Sequence, residues 1–342
     1  MNRMHLRRSA SSMHPRMRHV ALLLAVSVLQ ACSPCSTSTR AYDVVAAPRD
    51  WNAHPAIVEL GMPPTLFAVS DIHAGYDRLA ALLANAGITA GVPATASAIE
   101  WASGDSVLVV AGDLIDKGPQ GIEVLDALIA LDTSAARAGG RVVVTLGNHE
   151  AEFLADPTNS KADSSDGLDP ELRARGIDPL QLAAGADSRG VWLRDLPFAA
   201  KVGGWFFAHA GNTKQRSLAE LEGALRADVA AHDYTGSEVI GCDSLLESRD
   251  WFDADPSVGG RAARAVGADH VVFGHSPHAL GANGDIAIAE AGALFRIDCG
   301  MSPDVDYSLG VVLRVRHEGG VEVAEALPAT GAPRELWRGQ AP

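Results

Sequence analysis

Positive charge is scarce in this 342-residue chain: 28 Lys and Arg stand against 42 Asp and Glu, a formal charge of −14. Such a surface offers no basic stripe to a phosphate backbone, which excludes nucleic acid as a partner. Aromatic residues are also few, at 5%. Gly is plentiful, with 34 residues, and apolar residues make up 47%. That composition supports a packed core in an alternating α/β layout with many tight turns. No internal repeat is present. A long apolar run is missing too. The stretch "VALLLAVSVLQA" extends over 12 residues, short of the roughly 20 needed for a membrane-spanning helix.

The few basic residues are concentrated at the start. "MNRMHLRRSASSMHPRMRH" holds five arginines and no acid. A basic head before a short apolar core is the pattern of a secretory signal peptide, with a buried or interfacial helix as the alternative. Met13 and Met17 are alternative starts. Leu29-Gln30-Ala31-Cys32 resembles the bacterial lipoprotein box, in which cleavage precedes a lipidated Cys. The expected organisation is a lipoprotein signal peptide over 1–31, a flexible tether over 32–55, a domain over 56–330 and a C-terminal tail over 331–342. Residues 156–190 read as an acidic, loop-prone surface insertion placed to overhang a site. Removing 1–31 takes away five arginines, so the charge becomes 23 − 42 = −19. The mature chain is expected as a monomer on the periplasmic face of the cell envelope, held by a lipid at Cys32. Ser33 resembles the sorting signal of the outer rather than the inner membrane. Cys242 and Cys299 remain in the folded part, where an oxidising compartment lets them pair or leaves them as two thiols.

Apolar, β-branched runs recur at 65–70, 106–112, 141–147, 205–211 and 270–275. Helical patterns lie between several of them, at 76–87, 120–140 and 217–233. Strands alternating with helices imply βαβ units and a largely parallel core sheet, closed by an antiparallel region after residue 284. Each oily run ends in polar residues: Asp71-Ile72-His73, Asp113-Leu114-Ile115-Asp116, Asn148-His149-Glu150, His209 and His275. Ligands of open α/β sheets bind at the carboxyl ends of strands. Asp71, His73, Asp113, Asn148, His209 and His275 are therefore expected to face one crevice. Oxygen and imidazole donors together suit Mn, Fe or Zn better than Ca or Mg alone. Six ligands exceed the needs of one open ion, so two divalent ions are implied. Taken singly, an Asp here is an ordinary helix N-cap, and a His an ordinary core group. Five coincidences in one chain favour a site.

Together, "DIH", "GDLIDKGP", "GNHEAEF", "AHAGN" and "FGHSPH" resemble the calcineurin-like metallophosphoesterase superfamily over roughly residues 63–315. "GNHE" and "HAG" are most similar to the phosphoprotein phosphatase family. "LGNHEAEFL", "SRDW" and "IDCGMS" are most similar to its bacterial Shewanella-like branch. The resemblance implies an α/β sandwich: two mixed β-sheets packed together and flanked by helices. It implies that Asp71 and His73 bind one metal, that Asp113 bridges, and that Asn148, His209 and His275 bind the other. A hydroxide bridging the ions would attack phosphorus. His149 would protonate the leaving oxygen, and Asp116 would orient His149. Lys117 and Arg249, with Asn148, would contact the phosphate, and Arg189 is a weaker candidate. Glu150 is expected to support its helix.

The chain departs from the pattern at three places. It has Lys117 where many members have Arg, Ser70 before Asp71, and Gly274-His275-Ser276-Pro277-His278 in place of Gly-His-x-His. His278 is therefore read as a rim residue. The implied activity is a phosphatase acting on phosphomonoesters, of small molecules or phosphoproteins. A phosphodiesterase or dinucleotide pyrophosphohydrolase of the same superfamily is the alternative. A non-enzymatic binding lipoprotein is the alternative of another class.

Overall fold

The structure is a computed structural model that describes residues 49–281, 283–302 and 308–340. The leader, Cys32 and most of the tether lie outside the described residues. Two six-stranded mixed sheets form the body. The first has the order β1 (Ile57–Leu60), β5 (Ala199–Val202), β6 (Trp205–Ala208), β7 (His270–Phe273), β9 (Leu294–Arg296), β8 (Ala287–Ala289). The second runs β12 (Arg334–Gln340), β11 (Val321–Pro328), β10 (Val311–Glu318), β2 (Thr65–Val69), β3 (Val107–Ala111), β4 (Arg141–Thr145). The helices are α1 (Tyr76–Asn85), α2 (Gly121–Ala138), α3 (Asn148–Ala155), α4 (Leu168–Ala174), α5 (Pro179–Ala183), α6 (Ser188–Asp195), α7 (Leu218–His232), α8 (Ser237–Ile240) and α9 (Val258–Ala265).

Side chains alternate across a strand, and here both faces are buried. In β2, Leu66 and Ala68 join one apolar cluster while Phe67 and Val69 join the other. In β3, Val107 and Val109 face the first cluster, and Leu108 and Val110 the second. The first cluster also takes Trp205, Phe207, Val272 and Phe295 from the other sheet, so it is the layer between sheets. The second takes Leu125 and Leu128 of α2 and Leu79 and Leu83 of α1, so it lies under the helices. Each fully buried Val, Leu or Phe contributes about 1.5–3 kcal/mol. Double burial explains why these runs read as uninterrupted oil rather than as alternation.

Helix ends follow the expected signals. Ser217 accepts from the Glu220 amide, and Glu220 returns a bond to the Ser217 amide, capping α7. Gly139 closes α2 at φ 84°, a left-handed conformation that costs glycine little.

Four expectations are corrected. The five oily strands are not one parallel sheet: β2, β3 and β4 are parallel neighbours in one sheet, and β6 and β7 in the other. Residues 156–190 are not mainly loop, because α4 and α5 form there and bury Leu168, Leu172 and Leu182. Residues 334–340 are not a tail. They form edge strand β12, and Trp337 Nε1 donates to the Ala291 carbonyl, 3.1 Å. The expected tether also ends early. Arg49 donates to the carbonyls of Arg194, Asp195 and Leu196 at 2.8–3.0 Å, so residues 49–55 belong to the body.

Candidate metal centre

The loops after β2 and β3 hold their side chains by unusual backbone geometry. Asp71, His73, Asp113, Asp116 and Lys117 all have φ between 47° and 60°, and His275 after β7 has 62°. Non-glycine residues rarely adopt this region, and clusters of them mark functional sites. Dense main-chain bonding holds them there. The amides of Asp71, His73 and Ala74 donate to the carbonyls of Gly112, Asp113 and Leu114 at 2.8–3.0 Å. Buried Glu150 accepts from the amides of Gly147, Asp113, Leu114 and Ile115 at 2.7–3.2 Å. It thereby locks the third loop to the second. A side chain at Gly112 would meet the Gly147 backbone at 2.4 Å, which requires glycine.

Asp113 is the hub. Its Oδ1 lies 3.1 Å from His209 Nε2, and its Oδ2 lies 3.5 Å from His73 Nε2 and 3.9 Å from His149 Nε2. Two buried triads result, His73–Asp113–His149 and Asp113–His209–His275. Asn148 Oδ1 lies 3.1 Å from His209 Nε2 and 3.2 Å from His275 Nδ1. Both oxygens of Asp71 accept from the His275 amide, 3.0 and 3.2 Å.

Every histidine is oriented by its outer nitrogen. His73 Nδ1 faces the Ile115 carbonyl (3.3 Å), His209 Nδ1 the Ala111 carbonyl (2.9 Å), and His275 Nε2 the Glu247 carbonyl (3.2 Å). His149 Nδ1 faces Asp116 Oδ2 at 2.7 Å. An oxygen acceptor requires the N–H on that outer nitrogen. In a neutral ring the inner nitrogen is then a lone pair. The inner nitrogens of His209 and His275 thus point lone pairs at Asn148 Oδ1, and that of His209 also at Asp113. Acceptors converging on acceptors at 3.1–3.2 Å are stable only around a cation or a proton. With Asn148 beside them, these His and Asp donors fit metal binding around Asp113.

Charge states agree. Burial pushes His73 and His275 well below the usual imidazole value, which leaves them neutral and ready to ligate. Burial also opposes a proton on His209, but adjacent Asp113 overrides it and raises His209 to about 10. Burial disfavours charge on Asp113, yet His209 and His149 hold its carboxyl well below the usual range.

The remaining candidates fall at different places. Lys117 Nζ lies 2.9 Å from His73 Nε2, at the first triad. Arg249 donates to the His275 carbonyl at 3.2 Å and lines a cleft of about 550 Å³ with Phe252, Pro277, His278 and Leu280. Exposed His278 has Nδ1 at 3.0 Å from Asn283 Oδ1, on the rim. Arg189 is not at the centre: it pairs with Asp126 at 2.6 and 2.9 Å, joining α6 to α2. Cys299 is buried, Cys242 is exposed, and the two are not bridged to each other. Beyond the expected orienting of His149 by Asp116 and support of its helix by Glu150, one further role of each was not legible. Glu150 reads as a helix residue, and only its place directly after Asn148-His149 hints at more. Asp116 has a second bond, accepting the Leu168 amide at 2.8 Å, which depends on a distant segment.

Several known proteins share this architecture. A cold-active protein-tyrosine phosphatase of a psychrophilic Shewanella species superposes with a TM-score of 0.65 at 21% identity, covering 82% of each chain. A serine/threonine phosphatase from Saccharomyces cerevisiae gives 0.55 at 15% identity, covering 83% of this chain and 88% of that one. At these identities the likeness shows the fold. By sequence, the symmetrical bis(5'-nucleosyl)-tetraphosphatase of Paraburkholderia phymatum is 32% identical over 130 residues, 36% of this chain and 41% of that protein. Shewanella-like protein phosphatase 2 of Arabidopsis thaliana is 31% identical over 88 residues, 26% of this chain and 21% of that protein. The chain spans less than half the length of these curated relatives. The family model described as calcineurin-like phosphoesterase matches residues 64–279, which include every strand-end donor of the two triads, and the chain belongs to that family.

Proposed function

We propose that this protein is a metal-dependent phosphatase acting on phosphomonoesters, including those of phosphoproteins. The observation that carries the reading is the pair Asp116–His149. Its 2.7 Å bond fixes Nδ1–H outward and leaves Nε2 turned toward Asp113, 3.9 Å away. A monoester needs a proton on its leaving oxygen, and an imidazole in this orientation can deliver one. Two divalent ions of the Mn, Fe or Zn type, held by Asp71, His73, Asp113, Asn148, His209 and His275, would supply Lewis acidity toward water and the phosphoryl oxygens. Asp116 holds the ring, and Leu168 in turn holds Asp116. Lys117 and Arg249 stand at opposite ends of the centre and bind the phosphate.

A second reading is hydrolysis of symmetrical dinucleotides, favoured by the 32% identity to such a tetraphosphatase. The two separate on substrate. The metal-loaded protein should hydrolyse phosphotyrosyl or phosphoseryl peptides and p-nitrophenyl phosphate, and should lose that turnover on chelation. Turnover of a dinucleoside tetraphosphate with no monoester turnover would overturn the phosphatase reading.

We also propose that Cys32 carries a lipid that holds the protein at the periplasmic face of the envelope, on the outer membrane. The support is the sequence Leu29-Gln30-Ala31-Cys32 after a basic, apolar leader. Among the described residues no helix is long and apolar enough to cross a membrane. Mass spectrometry of protein from a bacterial host should find acylated Cys32 at the N-terminus. Cleavage at another residue with no acyl group would refute the anchor.

A further inference from the structure

The segment after α3 crosses the centre from one side to the other. At the first triad, the Asp166 carbonyl accepts from the Gly118 amide (3.1 Å), and the Leu168 amide donates to Asp116. At the second, Lys161 reaches inward. Its Nζ lies 2.6 Å from Glu152 Oε2 and 3.9 Å from Glu247 Oε1. Both carboxylates adjoin the ligands. Glu152 follows Asn148 by four residues on α3, so it lies one turn along the same helix face. The main-chain carbonyl of Glu247 is the group that orients His275. The ammonium is therefore seated beside the second triad.

Its seat is loose on one side and its base is firm. Glu247 Oε1 has no hydrogen-bond partner among the described residues, and 3.9 Å is beyond hydrogen-bond reach. The loop beneath is well made. Asn159 Oδ1 accepts from the amides of Lys161 and Ala162 at 2.9 and 3.1 Å, and Ala162 is fully buried. The Ser164 hydroxyl donates to the Lys161 carbonyl at 2.7 Å. A rigid loop thus carries a long flexible stem with 38% of its side chain exposed. Lys is a point charge on four rotatable carbons, suited to turning between nearby anions.

We propose that Lys161 is a third cation of the phosphate site, parked on Glu152 and Glu247 and turning to a phosphoryl oxygen when substrate or product enters beside the second triad. This rests on the phosphatase reading and adds a specificity-determining residue to it. A dianionic monoester gains from a third positive charge, whereas a monoanionic diester gains less.

The test is direct binding of inorganic phosphate to the metal-loaded protein by isothermal titration, for wild type, Lys161→Met and Lys161→Arg. Met keeps the length of the stem and removes the charge. Lys161→Met should bind phosphate roughly tenfold more weakly, on the order of one charge-assisted hydrogen bond. Lys161→Arg should stay within about threefold of wild type on the same grounds. Metal content by elemental analysis and the thermal unfolding midpoint should match wild type in both variants. Equal phosphate affinity in wild type and Lys161→Met would overturn the proposal. So would weaker binding accompanied by metal loss, which would show Lys161 acting through the ligands. Failure of wild-type protein to bind phosphate at all would instead count against the phosphatase reading.

Discussion

The two triads share Asp113, and of their four rings only His149 is oriented by a different kind of partner, His73 resting on the Ile115 carbonyl. On the first side, His149 rests on a carboxylate, Asp116, at 2.7 Å. On the second, His209 and His275 rest on the main-chain carbonyls of Ala111 and Glu247. A carbonyl fixes a ring and its tautomer but carries no charge. A carboxylate does the same and also stabilises the imidazolium form. The contrast fits the division of work proposed above. A ring that exchanges a proton needs a charged partner. A ring that only donates a lone pair to a cation is better served by a neutral one. Lys117 contacts His73 of the first triad, whereas Lys161 sits on Glu152, one helical turn from Asn148 on the second side.

The sharpest way to break this comparison is to remove one ring from each side. His209→Asn should cost the most. It deletes a donor that faces both Asp113 and Asn148, so metal content should fall below two ions and turnover should be largely lost. His149→Asn should keep both ions and lower kcat by about 10²–10⁴-fold, the range for a general acid. That loss should shrink for substrates with good leaving groups such as p-nitrophenol. Elemental analysis beside a leaving-group series reads both outcomes. Metal loss in His149→Asn, or a loss independent of the leaving group, would erase the distinction between the sides.

A smaller effect is expected at Lys117, where the chain has Lys in place of the family's frequent Arg. Lys117 Nζ sits 2.9 Å from His73 Nε2, so the proposed phosphate contact would require it to turn away from that nitrogen. Lys117→Ala should reduce kcat/KM by roughly ten- to hundredfold, as for one charge-assisted hydrogen bond of about 1.5–3 kcal/mol. Lys117→Arg should retain activity. Phosphate inhibition constants that are equal across wild type and both variants would show that Lys117 does not touch phosphate.

Much of the centre was legible because its signals are local. A doubly buried strand is oily along its length, and the polar residue that follows stands out. Asp71, His73, Asp113, Asn148, His209 and His275 could each be read from that break. Arg189 was misplaced for the opposite reason. Nothing near it in the chain reveals that its guanidinium is taken by Asp126, 63 residues away. Residues 156–190 were read as a surface loop because their acidic composition hides the alternating Leu168, Leu172 and Leu182, which bury only against other elements.

By itself the sequence determined the family, the five core strands with α1, α2 and α7, and the residue types that converge on Asp113, because each of these is set by neighbours within a few positions. Only the tertiary structure decided which sheet each strand entered. It also decided that Glu150 clamps two loops, that Arg334–Gln340 closes a sheet edge, and that Lys161 pairs with Glu152 from outside the family's motifs. Those outcomes depend on contacts between segments far apart in the chain. Such contacts are chosen by the packing of whole faces and the pairing of buried polar groups, and they leave no pattern in any short stretch of residues.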